Sequence, residues 1–258
     1  MPEVCWPELI TQAAQNMPAH ITAETYLRKF EGSASNPAAV RCSDGEVYVI
    51  KGLNAGQMIF NDQVCALLGN LIGAAVPDVA LVSLSQELID INSSEIGHFT
   101  AGLCHATRYL PDFSFRENGV IHIDQGDNRL RFLRLAAFFG WMGGSDQQFI
   151  YENQPPRRVF SVDHGHFFHG GPSWTVDSLA QAPLAVVYPP LAQACHFKPE
   201  ELAEAAILLQ SVTVEQIVRA VARPPDAWGV PVEMRSALAK YIHSRREDLV
   251  ASCLLQAT

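Results

Sequence analysis

The sequence predicts an α+β chain of two lobes, sheet-rich over residues 1–110 and helical over 111–258, with the boundary near Pro111-Asp112. Three observations lead there. Short β-branched or alternating runs crowd the stretch from Thr22 to Tyr109. Long runs with apolar residues at helical spacing dominate from Arg129 onward. At 258 residues, 48% hydrophobic and 17% charged, the chain can bury a substantial core, and no segment has a disordered composition.

Residues 7–17 read as a short amphipathic helix stopped by Pro18. Tyr26 to Phe30 alternates, Ala38 to Cys42 is a short apolar run, and Val47-Tyr48-Val49-Ile50 is β-branched, so three strands follow. Asp44-Gly45 between the last two is a hairpin signal, because both residues tolerate positive φ. A helix is expected from about Phe60 to Ile72, with Val64, Leu67, Leu68 and Leu71 on one face. Pro77 opens a strand over Val79 to Leu84, and His98 to Tyr109 reads as another. Arg129 to Trp141 is a helix apolar nearly all round, hence buried. Strands at Gln148–Tyr151 and Val159–Val162 flank a Pro155-Pro156 turn, and helices are expected over 199–210, 213–222 and 233–255.

A formal charge of −9 and pI near 5.4 argue against a dedicated nucleic-acid surface, which needs clustered Lys and Arg. Arg245-Arg246 is followed at once by Glu247-Asp248 and reads as a solvated helix face. The cysteines (5, 42, 65, 104, 195, 253) are scattered without a C-x-x-C. Met1 to Trp6 has neither a basic nor an apolar leader region, and the apolar run Leu135 to Met142 is too short for a membrane span. The expectation is a reduced, cytoplasmic protein without nucleic-acid or membrane partners. The C-terminal 80 residues read as packing helices with no chemistry of their own.

The chemistry-bearing residues fall in a suggestive order. Lys51 ends a strand, downstream of the small-residue loop Glu31-Gly32-Ser33-Ala34-Ser35-Asn36-Pro37. Such a loop can offer backbone N–H and hydroxyl donors to phosphates, which a lysine one strand later can also reach. An ordinary surface turn and an ordinary strand-end lysine give the same letters. Asp62 opens the next expected helix and is placed either to pair with Lys51 or to cap that helix. Asp146 follows the buried helix in Gly143-Gly144-Ser145-Asp146-Gln147-Gln148, where an acid can accept a hydrogen bond from an attacking hydroxyl or merely serve a turn. Asp163, in Ser161-Val162-Asp163-His164-Gly165-His166-Phe167, ends a buried strand. A carboxylate there needs a cation or several donors to meet it. Lysine, acid, acid is what phosphoryl transfer requires. His164, His166 and His169 beside Asp163 give the competing reading of a zinc or iron site, although Gly165 interrupts the strand.

Taken together, these segments resemble the HipA-like kinase domain family, distant relatives of phosphatidylinositol kinases and HipA toxins. The resemblance rests on Gly32 to Pro37, Val47 to Lys51, Phe60-Asn61-Asp62 through Pro77, His105 to Leu110, Trp141 to Asp146 and Val162 to Phe168, covering roughly residues 22–175. It implies a protein-kinase-like fold, with ATP and Mg2+ as cofactors and a hydroxyl on a protein or small molecule as acceptor. Gly32, Ser33, Ser35 and Lys51 would bind the ATP phosphates, Asp62 would orient Lys51, and Arg108-Tyr109-Leu110 would be the hinge beside the adenine. Asp146 would be the catalytic acid, and Asp163 and Gln148 would hold the metal. The chain departs from the pattern at three places. Asp62 stands where the family usually has Glu, and Gln147 stands where an Arg commonly follows the catalytic Asp. The family's metal-binding Asn is missing, so Gln148 or Asn153 would substitute. These departures leave a nucleotide-binding pseudokinase as the alternative.

Overall fold

The computed structural model describes residues 4–15, 19–32, 35–115 and 119–256. Helix α1 (Trp6–Ala14) precedes strands β1 (Ile21–Lys29), β2 (Ala38–Cys42) and β3 (Val47–Lys51), then helix α2 (Met58–Leu71) and β4 (Val79–Leu84). Two short helices, α3 (Gln86–Ile91) and α4 (Ser93–Ile96), lead to β5 (Gly102–Arg108). The five strands close into a barrel in the order β1-β2-β3-β5-β4, antiparallel except where β1 meets β4. Its interior is filled by small and medium side chains, among them Ala38, Val40, Ile50, Val82, Cys104 and Ala106.

The β2–β3 hairpin forms where expected, but only Gly45 of the Asp44-Gly45 pair takes positive φ (+83°). Gly45 N–H closes onto Cys42 O at 2.8 Å, so the loop is a turn finished by one left-handed residue. The expected strand from His98 begins only at Gly102, because the Phe99 N–H is spent on Ile96 O at the end of α4.

Helix α2 is buried on nearly every side, from Ile59 to Ala66, rather than along one stripe. It runs between the barrel and the second lobe, and Leu71, expected on its inner face, is 36% exposed. Buried polar residues on such a helix must find partners.

Residues 109–112 cross to the second lobe, where β6 (Phe113–Phe115) pairs with β7 (Gln148–Glu152), which pairs with β8 (Val159–Val162). Helix α5 (Asn128–Met142) carries the core of this lobe, and Gly143 ends it in the left-handed conformation at φ +71°. The remaining helices are α6 (Val176–Ala180), α7 (Pro189–Cys195), α8 (Pro199–Ser211), α9 (Val214–Ala222) and α10 (Val232–Gln256). Among the described residues, no single helix is long and apolar enough to cross a membrane.

Arg245 corrects the reading of a solvated basic face. It is 7% exposed and donates to the carbonyls of Gly140 (2.6 Å), Trp141 (2.9 Å) and Pro183 (2.6 Å). Tyr241 donates to Met142 O at 3.2 Å. Helix α10 thus satisfies the otherwise unpartnered carbonyls at the end of α5, just before the loop that carries Asp146. The C-terminal helices do more than pack.

Candidate active site

Strand alternation places Lys51. Tyr48 and Ile50 point into the barrel, so Lys51 points out of it toward α2, as does His105 opposite it on β5. There Lys51 Nζ donates to Asp62 Oδ2 at 2.8 Å and to Asp163 Oδ1 at 2.5 Å. The cluster is dry at its base, with Lys51 8% and Asp62 3% exposed, while the Asp163 side chain keeps 27% of its surface. Burial works against charge on Lys51, but Asp62 and Asp163 together hold its ammonium above the ordinary lysine range. Burial likewise opposes ionisation of Asp62, and Lys51 beside it keeps the carboxyl below the usual range.

The choice between cap and partner for Asp62 is resolved by the start of α2 at Met58, which puts Asp62 inside the helix. Its second oxygen, Oδ1, accepts the backbone N–H of His164 at 2.6 Å. Asn61 extends the same grip. Its Nδ2 donates to Gly165 O at 2.8 Å, with Phe167 O and Gly171 O at 3.4 Å, and its Oδ1 accepts Trp174 Nε1–H at 2.8 Å. Gly165 lies so near α2 that a Cβ there would meet Met58 Cβ at 2.9 Å. Asn61 and Asp62 therefore suspend the whole loop after Asp163 from the first lobe.

Asp146 stands in the left-handed conformation at φ +55°, as Asp163 does at +62°. Non-glycine residues there cost of order 1 kcal/mol or more, and such outliers concentrate at functional sites. The loop is fixed on both sides of Asp146. Ser145 Oγ donates to His166 O at 2.7 Å, and Gln147 Nε2 donates to Gly144 O at 2.7 Å. Gln148 Nε2 lies 3.4 Å from Asp146 Oδ2.

A cavity of about 970 Å3 opens between the lobes. Gly32, Ser35, Asp146, Gln148, Asp163 and His166 share its wall. Lys51 and Asp62 are not on that wall; Lys51 meets it through Asp163. Ser35 is 3% exposed, with its carbonyl accepting Asn54 Nδ2–H at 2.9 Å. Ser33 lies outside the described residues. The expected hinge residues do not reach the cavity. Arg108 pairs with Glu46 at 2.6 Å, Tyr109 accepts a hydrogen bond from Arg28 at 2.7 Å, and Leu110 is likewise absent from the wall. Asn153 also lies away, accepting from Ser114 Oγ at 2.6 Å, which leaves Gln148 as the amide at the site.

The histidines do not converge on a metal. Among the described residues, no group of three or more His, Cys, Asp or Glu side chains could hold one. His164 is buried between Phe138 and Phe167, its Nε2 3.0 Å from Ser161 Oγ, while His169 is exposed. Burial lowers the pKa of His164 to about 4, and does the same to His105, whose Nδ1 meets Gln63 Oε1 at 2.8 Å.

Sequence reasoning missed Asn61, Ser145, Trp174 and Tyr188. Asn61 and Ser145 were legible only as the neighbours of Asp62 and Asp146, and the other two carry no local signal.

Residues 24–149 match the HipA-like kinase family. The match covers 126 residues, just under half of the chain. That segment contains Lys51, Asp62 and Asp146, and the match ends just short of the strand leading to Asp163. No curated protein matches the chain in sequence. In structure it is similar to the Helicobacter pylori proinflammatory kinase CtkA, with a TM-score of 0.57 and 10% identity over 93% of this chain and 98% of that one. At that identity the likeness shows the fold, which is the two-lobed kinase-like α+β fold. The Golgi casein kinase is a weaker likeness, with a TM-score of 0.49 and 11% identity over 95% of this chain and 75% of that one.

Proposed function

We propose that this protein is a kinase that uses ATP and magnesium and transfers the γ-phosphoryl group to a hydroxyl on a protein or small molecule. The observation that carries this is one lysine held between two acids, Asp62 at 2.8 Å and Asp163 at 2.5 Å, with Asp163 sharing a cavity wall with Asp146. The match of residues 24–149 to HipA-like kinases supports it.

The donors suit magnesium, which is commonly held by one or two carboxylates plus substrate phosphates rather than by an all-protein cage. Asp163 and Gln148 would hold the ion, and its charge would offset that of the phosphates. Lys51 would donate to phosphate oxygens once Asp163 exchanges it for the ion. Gly32 and Ser35 would close over the phosphates. Asp146 would accept the acceptor's O–H and orient its oxygen at the γ-phosphorus. The new P–O bond forms as the bond to the β,γ-bridging oxygen breaks, ADP leaves with the electron pair, and the acceptor's proton passes to Asp146 and then to solvent.

The test is thermal melting with ATP, with and without magnesium, on the wild type and Asp163→Ala, followed by radiolabelled phosphoryl transfer. Magnesium-dependent stabilisation that the substitution removes is expected. No response of the wild type to nucleotide would sink the reading. Gln148 in place of the usual asparagine favours a second reading, a nucleotide-binding pseudokinase with a regulatory role. Stabilisation by ATP without any turnover would mark that case.

A further inference from the structure

We propose that Gln147 and Tyr188 are positioning residues that aim Asp146 at the acceptor, an inference that rests on the kinase reading above. Asp146 has little of its own to hold it: it is exposed, and among the described residues its carboxylate meets only Gln148 Nε2, at 3.4 Å. Its left-handed backbone is fixed from the flanks instead. On one flank Ser145 is tied to His166 O, within the loop that follows Asp163. On the other, the Gln147 amide is used at both ends: Nε2 donates to Gly144 O at 2.7 Å and Oε1 accepts the Tyr188 hydroxyl at 2.8 Å.

Tyr188 is itself a fixed post. Its N–H donates to Ala136 O at 3.0 Å, and its ring packs edge-on against Phe139 with centroids 5.5 Å apart. Upstream, Pro183 O is held by Arg245, and Val186 O lies so close over Gly140 that a Cβ there would collide with it. The segment from Pro183 to Tyr188 is therefore laid along α5 without slack. It continues into Pro190 and Leu191, which share the cavity wall with Asp146, Gln147 and Tyr188. The Gln147 amide thus joins the loop bearing the acid to a wall that moves with α5. Losing the Tyr188 hydroxyl frees one end of that amide and lets Asp146 drift, and small displacements of a catalytic group cost rate steeply.

The test compares Tyr188→Phe, Gln147→Met and the double variant with the wild-type full chain, using magnesium-ATP hydrolysis with water as the acceptor. ATP affinity is measured separately by calorimetry. The expected result is kcat lowered about tenfold or more in each single variant, with KM and Kd for ATP within about twofold, because the tie serves attack rather than nucleotide binding. The double variant should be no slower than the worse single one, since both remove the same link. Wild-type kcat in Tyr188→Phe overturns the inference, as does a loss of kcat matched by an equal loss of ATP affinity. If Tyr188→Phe fails to fold, Gln147→Met asks the same question from the other end. A wild type that binds magnesium-ATP but never turns it over overturns the kinase reading, and this inference with it.

Discussion

Asp62 Oδ1 accepts the backbone N–H of His164 at 2.6 Å, so a carboxylate on a first-lobe helix holds the main chain beside Asp163. Its other oxygen holds Lys51 at 2.8 Å. One fully buried side chain sets the separation of the two lobes at the site.

Asp62→Asn keeps the shape but removes a charge from a buried pair, so a loss of about 2–3 kcal/mol is expected, tempered because Lys51 keeps Asp163. Asp62→Glu restores the residue usual in the family and should also destabilise, by about 1–3 kcal/mol, because a methylene must be forced between two fixed partners. Urea denaturation measures both. A Glu variant more stable than the wild type would show that the gap has slack.

Asn61→Ala strands Gly165 O and Trp174 Nε1, which Asn61 meets at 2.8 Å each. The cost should be about 2–4 kcal/mol, or a melting temperature roughly 5–10 °C lower. Amide exchange across residues 163–171 should accelerate more than exchange in α5. Uniform acceleration would argue against a clamp specific to that loop.

Arg245→Ala should cost about 3 kcal/mol or more by stranding carbonyls at the end of α5, and Arg245→Lys should recover little, because an ammonium cannot span three separated acceptors. Chemical denaturation of both variants checks this. Full rescue by lysine would mean that charge, not the planar fork, matters.

Acid should weaken the fold through His105 and His164, whose pKa values fall from 6.5 to about 4 on burial. The folded state resists protonation that the unfolded chain accepts, so this contribution is complete above pH 6.5 and is lost as pH falls toward 4. Each imidazole can account for up to about 3 kcal/mol across that window. Urea midpoints between pH 7 and 4.5 should decline, and His105→Gln should flatten the slope. A midpoint constant over that range would contradict buried neutral imidazoles.

Elements made by local pattern were legible in the sequence. Val79–Leu84 and Val159–Val162 fall where β-branched spacing puts them, and Lys51 and Asp163 stand at strand ends as expected. What was not legible depends on partners distant in sequence. The letters Asn61-Asp62 do not reveal that both side chains turn toward residues about a hundred positions away. Arg245 beside two acids looks solvated until the end of α5 is packed beneath it. The short helices α6 and α7 have too few turns to show a period. The sequence led to a boundary near Pro111-Asp112, but the pairing of Arg108 with Glu46 follows from the register of β3 against β5, which sets Arg108 opposite Tyr48.

The suspension of the Asp163 loop from α2 has a consequence for ligand affinity. On the kinase reading proposed above, a loop that assembles only while the first-lobe helix is seated would make apparent nucleotide affinity scale with the seated fraction. A substitution on the far side of α2, touching no ligand, would then weaken nucleotide binding by as much as it unseats the helix, and bound nucleotide would repay the same free energy by seating it.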